Sequence, residues 1–457
     1  MIPTLIIGNA NIYQGNNLDI LPELQSNSVD SIVCDPPYEL GFMGKSWDSS
    51  GIAYSVELWT QCLRVLKPGG HLLAFGGTRT WHRLAVAIED AGFEIRDNIA
   101  WLYGSGFPKS HNISKAIDKA AGAEREVVGK QLRPDGSFRK NISKTEGSSF
   151  QSGSNDKYLT ASATDDAKAW DGWGTALKPA HEPIVVARKP LIGTVAQNVL
   201  EHGVGGLNID ATRIAGATIA DLTELNRGNK RPTGKNYSDK TLFKIQIDDR
   251  ENKTALGRFP ANIILDEHTA ELLDEQSGIT KTGDIKPHIN NHSRNVDFNA
   301  GIKIINTTYK GDTGGASRFF YVAKASKRDR NEGLENIEGQ EISAKGNGLA
   351  RTCNTCSAST LDGCDCPDRT FSNPVRQNFH PTVKPTALMQ YLIRLVTPDN
   401  GVVLDPFAGS GSTGKAAILE GKRFIGIELT AEYLPIIEGR LKHAYLTLDD
   451  KEDDLFE

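Results

Sequence analysis

Four consecutive residues, Asp35-Pro36-Pro37-Tyr38, follow the apolar run VDSIVC. A carboxylate accepts hydrogen bonds from an amino group, and a flat ring stacks on another flat ring. Consecutive prolines hold φ at roughly −65°, so the carbonyl of Pro36 stays where the backbone puts it. Together these residues could grip an aromatic amine.

A second such stretch, DPFAGSGSTG, spans residues 405–414 between a strand-like run and a helix-like one. Gly409, Gly411 and Gly414 have the spacing that lets a backbone approach a nucleoside cofactor. Glu428 ends the next strand pattern, where a carboxylate would accept from ribose hydroxyls. Asp405, directly before the glycines, would repel a pyrophosphate but suits a ligand carrying an ammonium group, such as S-adenosylmethionine. A methyl donor is therefore favoured over NAD. An NAD-dependent oxidoreductase is the rival reading of the same glycines.

Cys353, Cys356, Cys364 and Cys366 lie close together in a chain with six cysteines. Their CxxC and CxC spacing suggests four thiolates on one structural zinc, stapling a segment with little core of its own. Four sulfurs leave no open position for catalysis.

These residues need elements to hold them. VDSIVCD reads as a strand, VELWTQCLRVL as a helix, KPGG as a turn and HLLAF as a strand. A helix from Trp81 to Ala91 and the strand FEIRDNIAWLY follow. The C-terminal end repeats the rhythm: a helix from Ala387 to Val396, the strand GVVLDPF, the helix GKAAILEG, the strand FIGIEL and a helix from Ala431 to Leu446. This is α/β alternation with a mostly parallel sheet. Neither half is large enough alone, so both build one sheet and the middle is an insertion. Residues from about Asp135 to Gly174 and from about Asp284 to Cys366 are polar and aperiodic and read as loops, interrupted by HEPIVVARKP, GRFPANIIL and SRFFYVAKAS as strands with flanks.

The chain of 457 residues is 38% apolar, adequate for a real core. It has no apolar run approaching the roughly 18 residues of a membrane helix, and MIPTLIIGNA lacks the basic start of a signal peptide, so a cytoplasmic protein is expected. The net charge of −5 is unevenly spread. Basic residues are in excess from Lys109 to Lys144 and from Arg227 to Arg258, while the tail after Leu448 is acidic. The basic segments are candidates for phosphate contacts.

Asp35-Pro36-Pro37-Tyr38 after a strand, combined with DPFAGSGST near the other end, resembles the β class of DPPY-type DNA amino-methyltransferases. HPTVKPTALMQYLIRLV, residues 380–396, is similar to the element preceding the cofactor strand in that class, and LKPGGHLLAFGG, FMGKSWD and GSGFPK are similar to phage and prophage members. The resemblance implies a circularly permuted, Rossmann-like methyltransferase fold with an inserted target-recognition region. It divides the chain into a catalytic half over 1–134, an insertion over 135–375 and a cofactor half over 376–457. The insertion would return strands at about 176–190 and carry the zinc knuckle at 353–366.

It also implies a site-specific enzyme acting on the exocyclic amino group of a base flipped out of double-stranded DNA. Adenine N6 is expected from DPPY, with cytosine N4 the alternative. Asp35 and Pro36 would accept the amino hydrogens, Pro37 would fix the bend and Tyr38 would stack on the base. Asp35, Asp405, Pro406, Phe407, Gly409, Gly411 and Glu428 would border the cofactor. Thr382 and Lys384 would meet its methionine carboxylate, and Asn16, where the family usually has an acid, would accept from its adenine. A restriction-modification or phage setting and a possible homodimer follow from the same resemblance.

Overall fold

The computed structural model describes residues 2–40, 46–104, 106, 110–130, 158–214, 257–281, 288–290, 303–305, 312–324, 328–341, 352–353, 371–373 and 375–453. Ten strands form the main sheet: β1 (Leu5–Ile7), β2 (Ala10–Gln14), β3 (Val29–Cys34), β4 (Leu66–Phe75), β5 (Glu94–Leu102), β6 (His181–Arg188), β7 (Ile263–Asp266), β8 (Tyr321–Ala323), β9 (Val402–Asp405) and β10 (Arg423–Glu428). Their spatial order is β1-β2-β10-β9-β3-β4-β6-β5-β7-β8. Pairing is parallel except between β1 and β2 and on either side of β6. The fold is a mixed, mostly parallel α/β sheet of Rossmann-like form with helices on both faces, as expected.

Both faces are covered because the strands are apolar on both. Val33, Leu73, Phe75, Ile184 and Val186 point into one core with α4 (Thr386–Val396), α5 (Ser412–Leu419) and α6 (Leu434–Asp453). Ile32, Cys34, Leu72, Ala74 and Val185 point the other way, onto α2 (Val56–Val65) and α3 (Trp81–Asp90). Period-two alternation in strands buried on both sides requires such a three-layer arrangement. The helix α1 (Asn17–Ile20) follows β2.

β3 and β9 lie side by side at the centre, although they stand hundreds of residues apart in sequence. From β3 the chain moves on to β4, and from β9 it moves to β10 on the opposite side. Crevices that bind ligands open at the carboxyl ends of strands where the order reverses in this way. Asp35 and Asp405 follow or end these two strands.

The sequence reading missed β1 and β2. This hairpin pairs with β10, so the start of the chain lies beside a strand of the 376–457 segment. The KPGG turn is instead part of β4, with a register shift between Val29 and Ser31. Gly69 donates to the carbonyl of Lys189, and the N–H of Lys189 donates back to Gly70, so pairing with the β6 side absorbs the bend. The 135–375 stretch supplies β7 and β8 as well as β6. Tyr321 of β8 stacks on Tyr391 of α4 at 4.0 Å between ring centroids.

Part of the supposed loop before Gly174 is ordered: Tyr158–Thr160 pairs with Val127–Lys130, and Asp165–Ala169 is helical. Buried Asp118 organises it, accepting from the backbone N–H groups of Ala163 and Thr164 and from Arg125 at 2.6 Å. Capping by a buried acid carries no hydrophobic period, which is why the pattern was invisible. It also commits Arg125, one of the residues of the first basic segment, to an internal pair.

Trp59 of α2 is fully buried, donates its indole N–H to Ala53 at 2.9 Å and sits 6.3 Å from the ring of Phe407. Trp59→Ala should destabilise the fold by about 3–5 kcal/mol, read from the urea midpoint at unchanged slope.

Candidate active site

The DPPY turn is fixed from several sides. Thr80 donates to the carbonyl of Tyr38 at 2.8 Å. Glu39 adopts a left-handed φ of 54°, a strained value for a side-chain-bearing residue. Its N–H donates to Asp48 at 2.9 Å, and its carboxylate accepts from the N–H of Gly51 at 2.8 Å.

Asp35 Oδ2 accepts from Lys384 Nζ at 2.6 Å. Its other oxygen, Oδ1, is buried and has no hydrogen-bond partner. A second carboxylate, Glu182 at the start of β6, lies 3.4 Å from the same ammonium and accepts from the hydroxyl of Tyr38 at 2.8 Å. Lys384 Nζ also stands 4.9 Å from the centre of the Phe75 ring and 5.3 Å from that of Tyr38. Burial works against the charge on Lys384, but Asp35 and Glu182 outweigh it and raise its pKa. Burial foremost, then Asp35 and Glu182, push the Tyr38 phenol well above its usual range, so it stays a neutral donor.

On the cofactor side, Asp405 is buried, accepting from Phe407 N at 2.9 Å and from Thr413 Oγ1 at 2.5 Å. Burial pushes its pKa up to about 7, with Asp35 and Glu428 adding to the rise against the two hydrogen bonds. Glu428 accepts from the N–H groups of Gly409 at 2.7 Å and Thr430 at 2.8 Å, and burial raises it too. Gly409 and Gly411 have φ of 54° and 75°. A Cβ on Gly409 would stand 3.0 Å from the His380 ring, and one on Gly411 would stand 3.1 Å from Leu441. Both positions favour glycine, and among the described residues no cation pairs with Asp405 or Glu428. Those features fit a cationic nucleoside such as S-adenosylmethionine and disfavour a pyrophosphate.

The structure brings Asp35, Tyr38, Lys384, Asp405, the glycines and Glu428 to one edge of the sheet. The remaining expected residues vary. Asn16 caps α1, its side-chain oxygen accepting from Leu18 N at 3.1 Å; the neighbouring Asn17 donates to the carbonyl of Pro406 at 3.2 Å. Phe407 packs on Trp59. Thr382 is exposed, and its carbonyl lies 2.6 Å from His380 Nδ1. Burial lowers the His380 pKa to about 4, so the ring is neutral. Lys384 is already engaged by two carboxylates, so a cofactor carboxylate would have to compete for it.

Cys353 is buried in the short strand Thr352–Cys353, whereas Cys356, Cys364 and Cys366 lie outside the described residues, and the zinc expectation with them. Among the described residues no group of three or more His, Cys, Asp or Glu could hold a metal. Most of the second basic segment is also outside. Its last residue, Arg258, is buried and paired with Asp312. Arg318 donates to the carbonyl of Gly314 at 2.7 Å.

Sequence reasoning missed Asp329, an acid that supports the glycine-rich loop from behind. Asp329 accepts from Thr386 N at 2.8 Å and Thr386 Oγ1 at 2.6 Å, and pairs with buried Lys415 at 2.7 Å. The fully buried Arg440 lies 3.8 Å from Asp329 and donates to the carbonyl of Ser410 at 2.8 Å and to Ser412 Oγ at 2.9 Å. Asp329→Ala would weaken charge compensation around two buried cations. It should destabilise the protein by on the order of 3 kcal/mol, measurable by urea denaturation; Asp329→Asn should cost less.

A family model described as DNA methylase matches residues 29–439. The chain belongs to this N6/N4 DNA methylase family. It is 57% identical over 54 residues to the putative methylase YubD of Escherichia coli, covering 12% of this chain and 24% of that protein. It is 51% identical over 62 residues to the DNA adenine methyltransferase YhdJ of the same organism, covering 14% and 21%. Such matches span well under half of those relatives. A longer likeness, 22% identical over 341 residues, joins it to the type II methyltransferase M.HindIII of Haemophilus influenzae, covering 64% of this chain and 92% of that one. Among solved structures, the PvuII cytosine-N4-specific DNA methyltransferase is 12% identical with a TM-score of 0.39, covering 96% of this chain and 88% of that one. Among the described residues, no helix is long and apolar enough to cross a membrane.

Proposed function

We propose that this chain is a site-specific DNA methyltransferase acting on the exocyclic amino group of a flipped base, adenine N6 in preference to cytosine N4. The observation that carries the reading is Asp35: one oxygen is fixed by Lys384 and the other is buried without a partner, at the strand crossover beside the glycine cradle. An acceptor so placed suits an amino hydrogen. Asp405, Gly409, Gly411 and Glu428 would hold S-adenosylmethionine, which would supply an already activated methyl group.

The chain's own part is grip and aim. Asp35 Oδ1 and the Pro36 carbonyl each accept an amino hydrogen, which directs the nitrogen lone pair. Tyr38 stacks on the base and repays part of the few kcal/mol spent in extruding it. Adenine rather than cytosine rests on the DPPY resemblance. Double-stranded DNA, a homodimer and a restriction-modification setting belong to the same reading.

The test is base-resolved sequencing of DNA from cells expressing the wild type or Asp35→Ala. Methyladenine in one short motif, absent with the variant, is expected. Methylcytosine at the exocyclic nitrogen would move the target base. No modified base, with S-adenosylmethionine still bound by the purified protein, would end the DNA reading.

A further inference from the structure

We propose that Glu182 is a positioning residue for the transfer, aligning the stacking ring of Tyr38 and holding the lysine that aims Asp35. This rests on the reading of the site as a base-methylating centre.

Glu182 belongs to a different strand from every other member of the site. It is the second residue of β6, the strand running against its neighbours, and Gly76 N donates to the next carbonyl, that of Pro183, at 2.9 Å. Its carboxylate thereby lies at the carboxyl edge of β4, on an ordered strand rather than a loop. From there it accepts the Tyr38 hydroxyl at 2.8 Å and faces Lys384 at 3.4 Å. A phenol tethered at its hydroxyl cannot swing about χ1, so the ring face stays presented. The same carboxylate steadies Lys384, whose bond to Asp35 Oδ2 leaves Oδ1 for the substrate. Removing Glu182 would leave a half-buried phenol without its acceptor and one anion fewer around a buried ammonium.

The groups facing Lys384 are Asp35, Glu182, Tyr38, Tyr103 and, on its own segment, His380. The lysine ammonium is held up against burial by Asp35 and Glu182. Tyr103 is pushed up to about 12, chiefly by burial and then by Glu182. His380 is lowered to about 4, also chiefly by burial. Loss of the Glu182 charge therefore brings deprotonation of Lys384 to lower pH, and the alkaline limb of the rate moves the same way.

The experiment uses the full chain, labelled S-adenosylmethionine and amplified duplex DNA free of modified bases, with kcat and KM for DNA measured from pH 7 to 11 in short initial-rate assays. Glu182→Gln should lower kcat by roughly ten- to hundred-fold and move the alkaline limb to lower pH. Glu182→Asp should recover part of both. An unchanged kcat and limb in an active protein would overturn the assignment of Glu182 alone. A wild type that binds the donor yet methylates no DNA would overturn both this assignment and the reading beneath it. If Glu182→Gln does not fold, Tyr38→Phe decides, because it removes only the tethered hydroxyl. A kcat loss of about ten-fold is then expected, and a wild-type kcat would overturn the tether.

Discussion

Asp35→Asn is expected to lower methyl transfer to DNA by about 10²- to 10³-fold, while S-adenosylmethionine affinity stays within a few-fold of the wild type. The substitution preserves shape, so the effect is electrostatic. Lys384 donates at 2.6 Å to Oδ2 and has only donors to offer. An amide introduced at this position must turn its oxygen toward that ammonium. Its NH2 then faces the space where Oδ1 now waits, and a donor meets the substrate's amino hydrogens. The grip becomes a repulsion without any loss of packing. Single-turnover methyl incorporation into unmodified duplex DNA, with donor binding followed by calorimetry, measures the two quantities separately. A rate within ten-fold of the wild type would remove Asp35 from the chemistry. Equal losses of rate and donor affinity would instead make it a cofactor residue.

What could be read in advance follows from what leaves a local trace. Asp35, Tyr38, Asp405 and Glu428 sit at strand ends, and a strand end is visible as the boundary between an apolar run and a turn. That both halves build one sheet also followed, because two incomplete α/β halves need each other; that β3 and β9 are the strands that meet was not legible. Glu182 was hidden because its importance comes from running antiparallel between β4 and β5, a fact of tertiary order that HEPIVVARKP does not encode. Asp329 was hidden for another reason. It lies in the polar stretch RDRNEGL, where the signal is buried charge pairing rather than periodicity. Asn16 illustrates a one-residue ambiguity: it takes the helix cap, and Asn17 reaches the cofactor loop. Two adjacent asparagines cannot be told apart before the helix start is known. The β1–β2 hairpin was missed because LII and ANIYQ are short for strands and too brief to show a period.

Affinity for S-adenosylmethionine should rise about ten-fold between pH 6 and pH 8, with protons released on binding. The reason is Asp405, whose pKa burial lifts to about 7. Below that value its carboxyl is neutral and offers a cationic ligand little; above it the charge is present before the ligand arrives. A bound cation stabilises the charged form and lowers the pKa, so binding near pH 6.5 must expel a proton. The free protein shows the opposite trend. An acid whose folded pKa is raised contributes stability that is complete below its unfolded value near 4 and is lost as pH rises through about 7. The ligand-free melting temperature should therefore fall across this interval while stabilisation by the donor grows. Calorimetry in two buffers of different ionisation enthalpy reads the proton count directly. Asp405→Asn should bind weakly, with a flat pH profile and no proton release. An anionic dinucleotide reverses the sign: its pyrophosphate would bind better with Asp405 neutral, and affinity would decline as pH rises. The slope for NAD against that for S-adenosylmethionine thus separates an oxidoreductase from a methyltransferase without any substrate, on the charge of one buried carboxylate.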